Sequence, residues 1–288
     1  MATFVLVHGA FQGGWVWGRV DEALTELGHK VLRPTLGGCG LHRARPDAAL
    51  GLGLYAQELA RYLKDEGLIN VTLVGHSYAG LVCGLAAAAL PEAVVRLVLV
   101  DGVLPKPGAS FADMAGEPFG KLLQAHALPG GLVRPWPLES FGVTPEAAAW
   151  FQERLGPFPL AAFTEPCPKD FMFSGAKRSF ISCIPAKNPL LRLMANRAES
   201  EGWDVHALMS GHCAMVSAPL ELSGLLHSLV RADPQTGAAD ESGMPRLDRR
   251  LLEDMRRQVH WTCRRLTQGD ESAEGTPVQL AKPCGEKC

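Results

Sequence analysis

Six short apolar runs punctuate the chain: TFVLVHG at 3–9, KVLRP at 30–34, NVTLVGH at 70–76, VRLVLVDG at 95–102, RSFISCI at 178–184 and WDVHAL at 203–208. Several are apolar almost throughout instead of alternating with polar positions, the pattern of strands covered on both faces. Between them, segments at about 16–28, 54–67, 78–90 and 217–231 carry helix-type apolar spacing. Strands separated by helices predict α/β architecture, with a mostly parallel central sheet and helices on both sides.

One interval breaks this rhythm. Residues 105–177 are rich in proline and aromatic residues and hold short helical pieces such as TPEAAAWFQERLG, where Thr144 is expected to cap a helix opened by Pro145. The expectation is a mainly helical cap inserted over the carboxyl edge of the sheet, with the core formed by residues 1–104 and 178–231. Beyond it, RADPQTGAADESG reads as a polar linker, followed by a basic helical stretch from about Pro245 to Gln268, so 232–288 is a linker plus a C-terminal extension. The ragged apolar stripe of Leu251, Leu252, Met255, Val259 and Trp261 or Cys263 leaves three readings open: a solvated helix, docking on the body, or pairing into a homodimer.

A chain of 288 residues, 47% hydrophobic and 20% charged, is expected to bury one large core. Its formal net charge of −2, with no basic stripe in the core, gives no footprint for nucleic acid or an anionic membrane. The partner class that remains is a small molecule of modest charge. The opening MATFVLVHGA has no basic start or cleavage site, which predicts a cytoplasmic protein without a signal peptide. Cys39, Cys83, Cys167, Cys183 and Cys213 are scattered without metal-type spacing and read as reduced packing residues, whereas Cys284 and Cys288 sit in the polar tail. No metal and no organic cofactor is implied.

Chemistry enters at LVGHSYAGLVC, residues 73–83, where a strand runs through Gly75, His76, Ser77, Tyr78 and Ala79 into an alanine-rich helix. A strained strand-to-helix elbow that exposes a nucleophilic serine needs small residues two before and two after it, here Gly75 and Ala79. Acyl transfer also needs two backbone N–H groups aimed at a developing oxyanion. The residue after the serine, Tyr78, supplies one, and Ala10, in the glycine-rich loop after the first strand, supplies the other. A proton acceptor has to arrive on a loop at the same sheet edge, and LMSGHCAMVSAP at 208–219 brings His212 there. His8 is read as a support of the oxyanion loop and His76 as pointing off the elbow.

Together FVLVHGAFQGGWVW, GHKVLRPTLGGCG, VTLVGHSYAG, VRLVLVDGVLP and GHCAMVSAP, in this order over about residues 3–231, resemble the α/β-hydrolase superfamily, specifically the plant methylesterase and hydroxynitrile-lyase group and its bacterial esterase relatives. The resemblance implies the α/β-hydrolase fold and a serine hydrolase of small, largely apolar esters, thioesters, lactones or activated amides. It places the orienting acid in the loop after RSFISCI, at Ala186, which is no acid. Asp101, ending VRLVLVD, is the candidate replacement, and Asn188 is an uncharged alternative. Phe11, Trp15, Tyr78, Val103, Leu104 and Met215 are expected to line the substrate pocket. Two other readings stand beside the esterase. A hydroxynitrile lyase of this group carries a lysine after the histidine and a threonine in the oxyanion loop, where this chain has Cys213 and Ala10. A ligand-binding or slow-turnover receptor on the same body follows if the missing acid has disabled turnover.

Overall fold

Six parallel strands form one sheet in the order β2-β1-β3-β4-β8-β9. They are β1 (Thr3–Val7), β2 (Lys30–Leu32), β3 (Val71–His76), β4 (Val94–Val100), β8 (Lys177–Ile184) and β9 (Asp204–Met209). The computed structural model describes residues 1–40, 47–173, 175–184 and 188–231. Ala186, His42, Cys284, Cys288 and the whole of 232–288 lie outside the described residues.

The connecting helices are α1 (Gly18–Glu26), α2 (Leu52–Asp65), α3 (Ala79–Ala89), α8 (Pro189–Ser200), α9 (Ala214–Ser217) and α10 (Pro219–Arg231). From β1 the chain steps one way to β2, then returns and steps the other way through β3, β4, β8 and β9. Because parallel crossovers are right-handed, α1 falls on one face and α3 and α8 on the other. The reversal between β1 and β3 leaves a crevice at their carboxyl ends, where open α/β sheets bind ligands. Every residue of β3 is buried, as are nearly all those of β1 and β4, so these central strands carry the continuous apolar pattern that both-face burial requires.

Helix ends follow from local chemistry. α1, α2 and α8 each stop at a glycine with positive φ, Gly28 at 81°, Gly67 at 60° and Gly202 at 74°. In each case the residue after the glycine donates back to a carbonyl five positions earlier: His29 to Leu24, Leu68 to Leu63 and Trp203 to Ala198. Only glycine adopts that left-handed turn without a Cβ penalty.

Residues 105–177 hold α4 (Phe111–Ala115), α5 (Glu117–Ala125), α6 (Pro145–Arg154) and α7 (Leu160–Thr164). They also hold a three-stranded sheet of β5 (Ala127–Leu128), β6 (Leu132–Val133) and β7 (Phe158–Pro159). This sheet qualifies the expectation of a mainly helical insertion: its strands are two residues long, too short to show a period of two in sequence. α6 opens at Pro145 as expected, but the Thr144 side chain makes no capping hydrogen bond to the helix backbone. α8 has no counterpart among the sequence-predicted helices.

Candidate active site

Ser77 directly follows β3 and turns into α3 with φ 55°, a left-handed backbone that costs a non-glycine residue about 1–3 kcal/mol. Its neighbours fix that conformation. The Ser77 N–H donates to the Val100 carbonyl at 3.2 Å, and the Ser77 carbonyl accepts from Gly80 N–H and Val103 N–H, both at 3.0 Å. The small residues of the elbow are needed sterically: a Cβ on Gly75 would lie 2.8 Å from the Ala79 carbonyl oxygen, and one on Gly80 would lie 2.5 Å from the Val103 oxygen. Gly80→Ala is therefore expected to destabilise the fold by about 1–3 kcal/mol, the usual cost of overpacking, read as a lowered urea midpoint at unchanged slope.

His212 sits in the turn between β9 and α9, with Nε2 3.0 Å from Ser77 Oγ and Nδ1 2.8 Å from Asp101 Oδ2. A carboxylate only accepts, so Nδ1 carries the proton and donates to Asp101. Nε2 is then left as the acceptor facing the serine hydroxyl, the tautomer a general base requires. Asp101, 1% exposed with φ 46°, occupies the turn after β4. Its Oδ1 accepts the Cys183 N–H of β8 at 3.1 Å and its own N–H donates to the Ile181 carbonyl at 2.8 Å. Both carboxylate oxygens are thus engaged. Asn188 is elsewhere occupied: its side chain accepts from Leu190 N–H and caps α8.

Two buried histidines frame this group in neutral form. His8 Nε2 accepts the Leu36 N–H at 3.1 Å, so the proton is on Nδ1, which donates to the Gly9 carbonyl at 2.8 Å. Burial pushes its pKa down to about 4. This bond clamps the loop that carries Ala10, the support expected of His8. His76 differs from expectation. Its Nε2 donates to the His212 carbonyl at 3.0 Å and its ring lies 4.7 Å from the His212 ring, so it braces that residue from the core. Burial holds it well below the ordinary histidine range. Among the described residues neither the Ala10 nor the Tyr78 N–H donates to another backbone carbonyl outside regular elements.

Residues 4–225 match the profile of the Alpha/beta hydrolase family. The chain belongs to that family. It is 30% identical over 241 residues to a carbendazim hydrolyzing esterase of Nocardioides sp. (strain SG-4G), covering 80% of this chain and all of that protein. It is 33% identical over 112 residues to polyneuridine aldehyde esterase of Rauvolfia serpentina, an alignment covering 38% of this chain and 41% of that one. An extracellular α/β-hydrolase from a Paenibacillus species superposes with a TM-score of 0.69 at 20% identity, covering 79% of this chain and 98% of that one. No helix among the described residues is long and apolar enough to cross a membrane.

Around the core of this hydrolase fold, the residues expected to line a pocket play mixed parts. Phe11 is buried and meets the rings of Trp136, Phe141, Phe158 and Phe163, all from the insertion. Trp15 packs against Trp150 and Phe151. Tyr78 is buried with its ring 5.1 Å from Phe158 and 5.6 Å from Phe163. Val103 and Leu104 act through backbone: Val103 N–H holds the Ser77 carbonyl, and Leu104 is clamped by α8, its carbonyl accepting Arg197 Nη1 at 3.1 Å. Met215 is buried on α9. A cleft of about 400 Å³ on the insertion is lined by other residues, among them His126, Arg134, Trp136 and Gln152. Sequence reasoning missed the contacts that His76 and Cys183 make with this group, and it missed Arg197 and Gln12, whose Nε2 donates to Cys213 Sγ at 3.3 Å and ties the Ala10 loop to the His212 loop.

Proposed function

We propose that this chain is a serine hydrolase cleaving a small, largely apolar carboxylic ester, or a related thioester, lactone or activated amide, through an acyl-enzyme on Ser77. The observation that carries the reading is the continuous relay from Ser77 Oγ through His212 to Asp101, at 3.0 and 2.8 Å. In this reading His212 Nε2 takes the hydroxyl proton as Ser77 Oγ attacks the ester carbon, and the Ala10 and Tyr78 N–H groups stabilise the oxyanion. Asp101 stabilises the imidazolium, which then protonates the leaving alcohol. Water enters by the same route in reverse and releases the acid. Every step uses side chains and amides of this chain.

Residues 105–177 act in this proposal as the cap that selects substrate, because their aromatic rings pack directly on Phe11 beside Ala10 and on Tyr78 beside Ser77. Phe11, Trp15, Val103, Leu104 and Met215 complete the apolar wall in that reading. The cytoplasmic assignment is kept on the five described cysteines, all free and buried. A homodimer through the C-terminal extension is one of the arrangements left to measurement of oligomer mass.

A lyase reading lacks its cation. The residue after His212 is Cys213, a buried thiol that receives the Gln12 amide and whose acidity burial suppresses, so no positive charge stands there for a departing cyanide. A receptor reading is disfavoured by the intact proton relay. The test is turnover of p-nitrophenyl acetate and butyrate together with labelling by a fluorophosphonate probe, which bonds only to an activated serine. Wild type is expected to turn over and label, and Ser77→Ala to do neither; equal rates in the two proteins end the assignment.

A further inference from the structure

The histidine turn is gripped from three directions. From the core, His76 Nε2 donates to the His212 carbonyl at 3.0 Å. From its own helix, Ser217 Oγ accepts the Gly211 N–H at 3.1 Å. The third grip comes from the insertion, where the Phe141 carbonyl accepts the Cys213 N–H at 2.8 Å.

At the same place two glycines bring the two backbones into direct contact. Gly142 has φ 60°, and a Cβ built on it would lie 2.7 Å from the His212 backbone nitrogen and 2.9 Å from Gly211 Cα. A Cβ on Gly211 would in turn lie 1.7 Å from the Gly142 carbonyl oxygen. A contact this close leaves no room for a side chain on either strand of the junction. The Phe141 ring also reaches Phe11 at 6.5 Å and Phe151 at 5.1 Å. The insertion touches the oxyanion loop as well, because Gly156 N–H donates to the Phe11 carbonyl at 2.9 Å. Both loops that would carry catalytic groups are therefore bonded to the inserted segment through backbone.

We propose that the Phe141–Gly142 turn is a positioning element for His212, so that the insertion sets the geometry of proton transfer as well as the fit of the substrate. This rests on the hydrolase reading, in which His212 is the base. The turn reaches no reacting atom itself. It fixes the backbone on either side of His212, and a displacement of about 1 Å at such a group costs about 10²-fold in rate. A lining residue would change KM. A positioning turn changes kcat, because substrate still enters but meets a misaimed imidazole.

The test uses the full chain with p-nitrophenyl butyrate. Gly142→Ala, whose methyl forces the histidine backbone or the turn to move, is expected to lower kcat 10- to 100-fold with KM within 3-fold, and to slow fluorophosphonate labelling of Ser77 by the same factor as kcat. Melting temperature is recorded alongside. Pro137, at an exposed position, precedes the single 3-10 turn Leu138–Phe141 that runs into Gly142, so Pro137→Gly loosens the approach to this turn without filling space and is expected to fold; kcat is expected to fall 2- to 5-fold with KM unchanged. A folded Gly142→Ala with wild-type kcat, or with its change confined to KM, overturns the proposal, and so does wild-type kcat in Pro137→Gly should the alanine variant not fold. Ser77→Ala runs in the same assay: if it retains turnover, the hydrolase reading itself has failed, and the proposal falls with it.

Discussion

Asp101→Asn is expected to lower kcat by about 10² to 10⁴-fold while leaving the fold nearly as stable as before. Asparagine keeps the shape of the side chain and tolerates left-handed backbone, so the φ of 46° at this turn is no obstacle. Its Oδ1 still accepts the Cys183 N–H. What is lost is the charge facing His212 Nδ1, which stabilises the imidazolium formed when Ser77 gives up its proton, and with it the fixed tautomer. Asn188→Ala is the contrast: its side chain caps α8, so the expected effect is about 1 kcal/mol of stability, with kcat within about 3-fold. Steady-state kinetics and urea unfolding on the two variants decide the matter. Full activity in Asp101→Asn removes Asp101 from the relay and leaves a Ser77–His212 pair.

The central strands were legible in the sequence because both of their faces are buried, which leaves a nearly unbroken apolar run that only a covered strand or a buried helix accommodates. β3 falls within one residue and β4 within two residues of their expected limits. α8 was not legible, since its charged positions Arg192, Arg197 and Glu199 dilute the apolar stripe of Leu191, Met194 and Ala198. The partners of Arg197 explain that composition. Nη1 and Nη2 donate to the carbonyls of Leu104 and Pro105, at 3.1 and 2.8 Å, and Nε pairs with Glu201, so its task is to hold a neighbouring turn and not to bury apolar surface.

Within the candidate site, the pairing of Ser77 with His212 was readable because each lies in a short segment whose local chemistry is unusual: small residues around a serine, and a histidine between a strand end and a helix start. The contact of Asp101 with His212 joins positions 111 apart in sequence, and only the strand order brings their ends together. His76 was misjudged for a related reason. A histidine beside the elbow can point to either side of the strand, and the direction is decided by the His212 carbonyl, 136 residues away. The Gly142–Gly211 contact had no sequence signal at all, since a glycine in a proline-rich insertion reads as an ordinary turn.

Acid is expected to destabilise the protein steeply, beginning near pH 6.5 and well before its carboxylates titrate. His8 has to be neutral to accept the Leu36 N–H, and burial lowers its pKa from 6.5 to about 4. The folded state therefore binds fewer protons than the unfolded chain between those values. Its contribution is fully present above pH 6.5 and is lost as pH falls toward 4, which at 1.36 kcal/mol per pH unit amounts to about 3 kcal/mol. His76 shifts in the same direction through burial, so its loss has the same sign. At the other end of the molecule His29 also stays neutral: Nδ1 accepts the Ala2 N–H, Nε2 donates to His227 Nδ1 at 2.8 Å, and its pKa falls to about 4 through burial first and then the nearby positive groups. Against a total stability of about 5–15 kcal/mol for a typical domain, these terms bring the acid midpoint up toward pH 5. Urea unfolding at pH 7.5, 6, 5.5 and 5 measures the slope, and His29→Gln, which carries no titrating group, is expected to flatten it by about one proton. A urea midpoint unchanged between pH 7.5 and 5 contradicts the neutral-histidine assignments and the tautomers deduced from them.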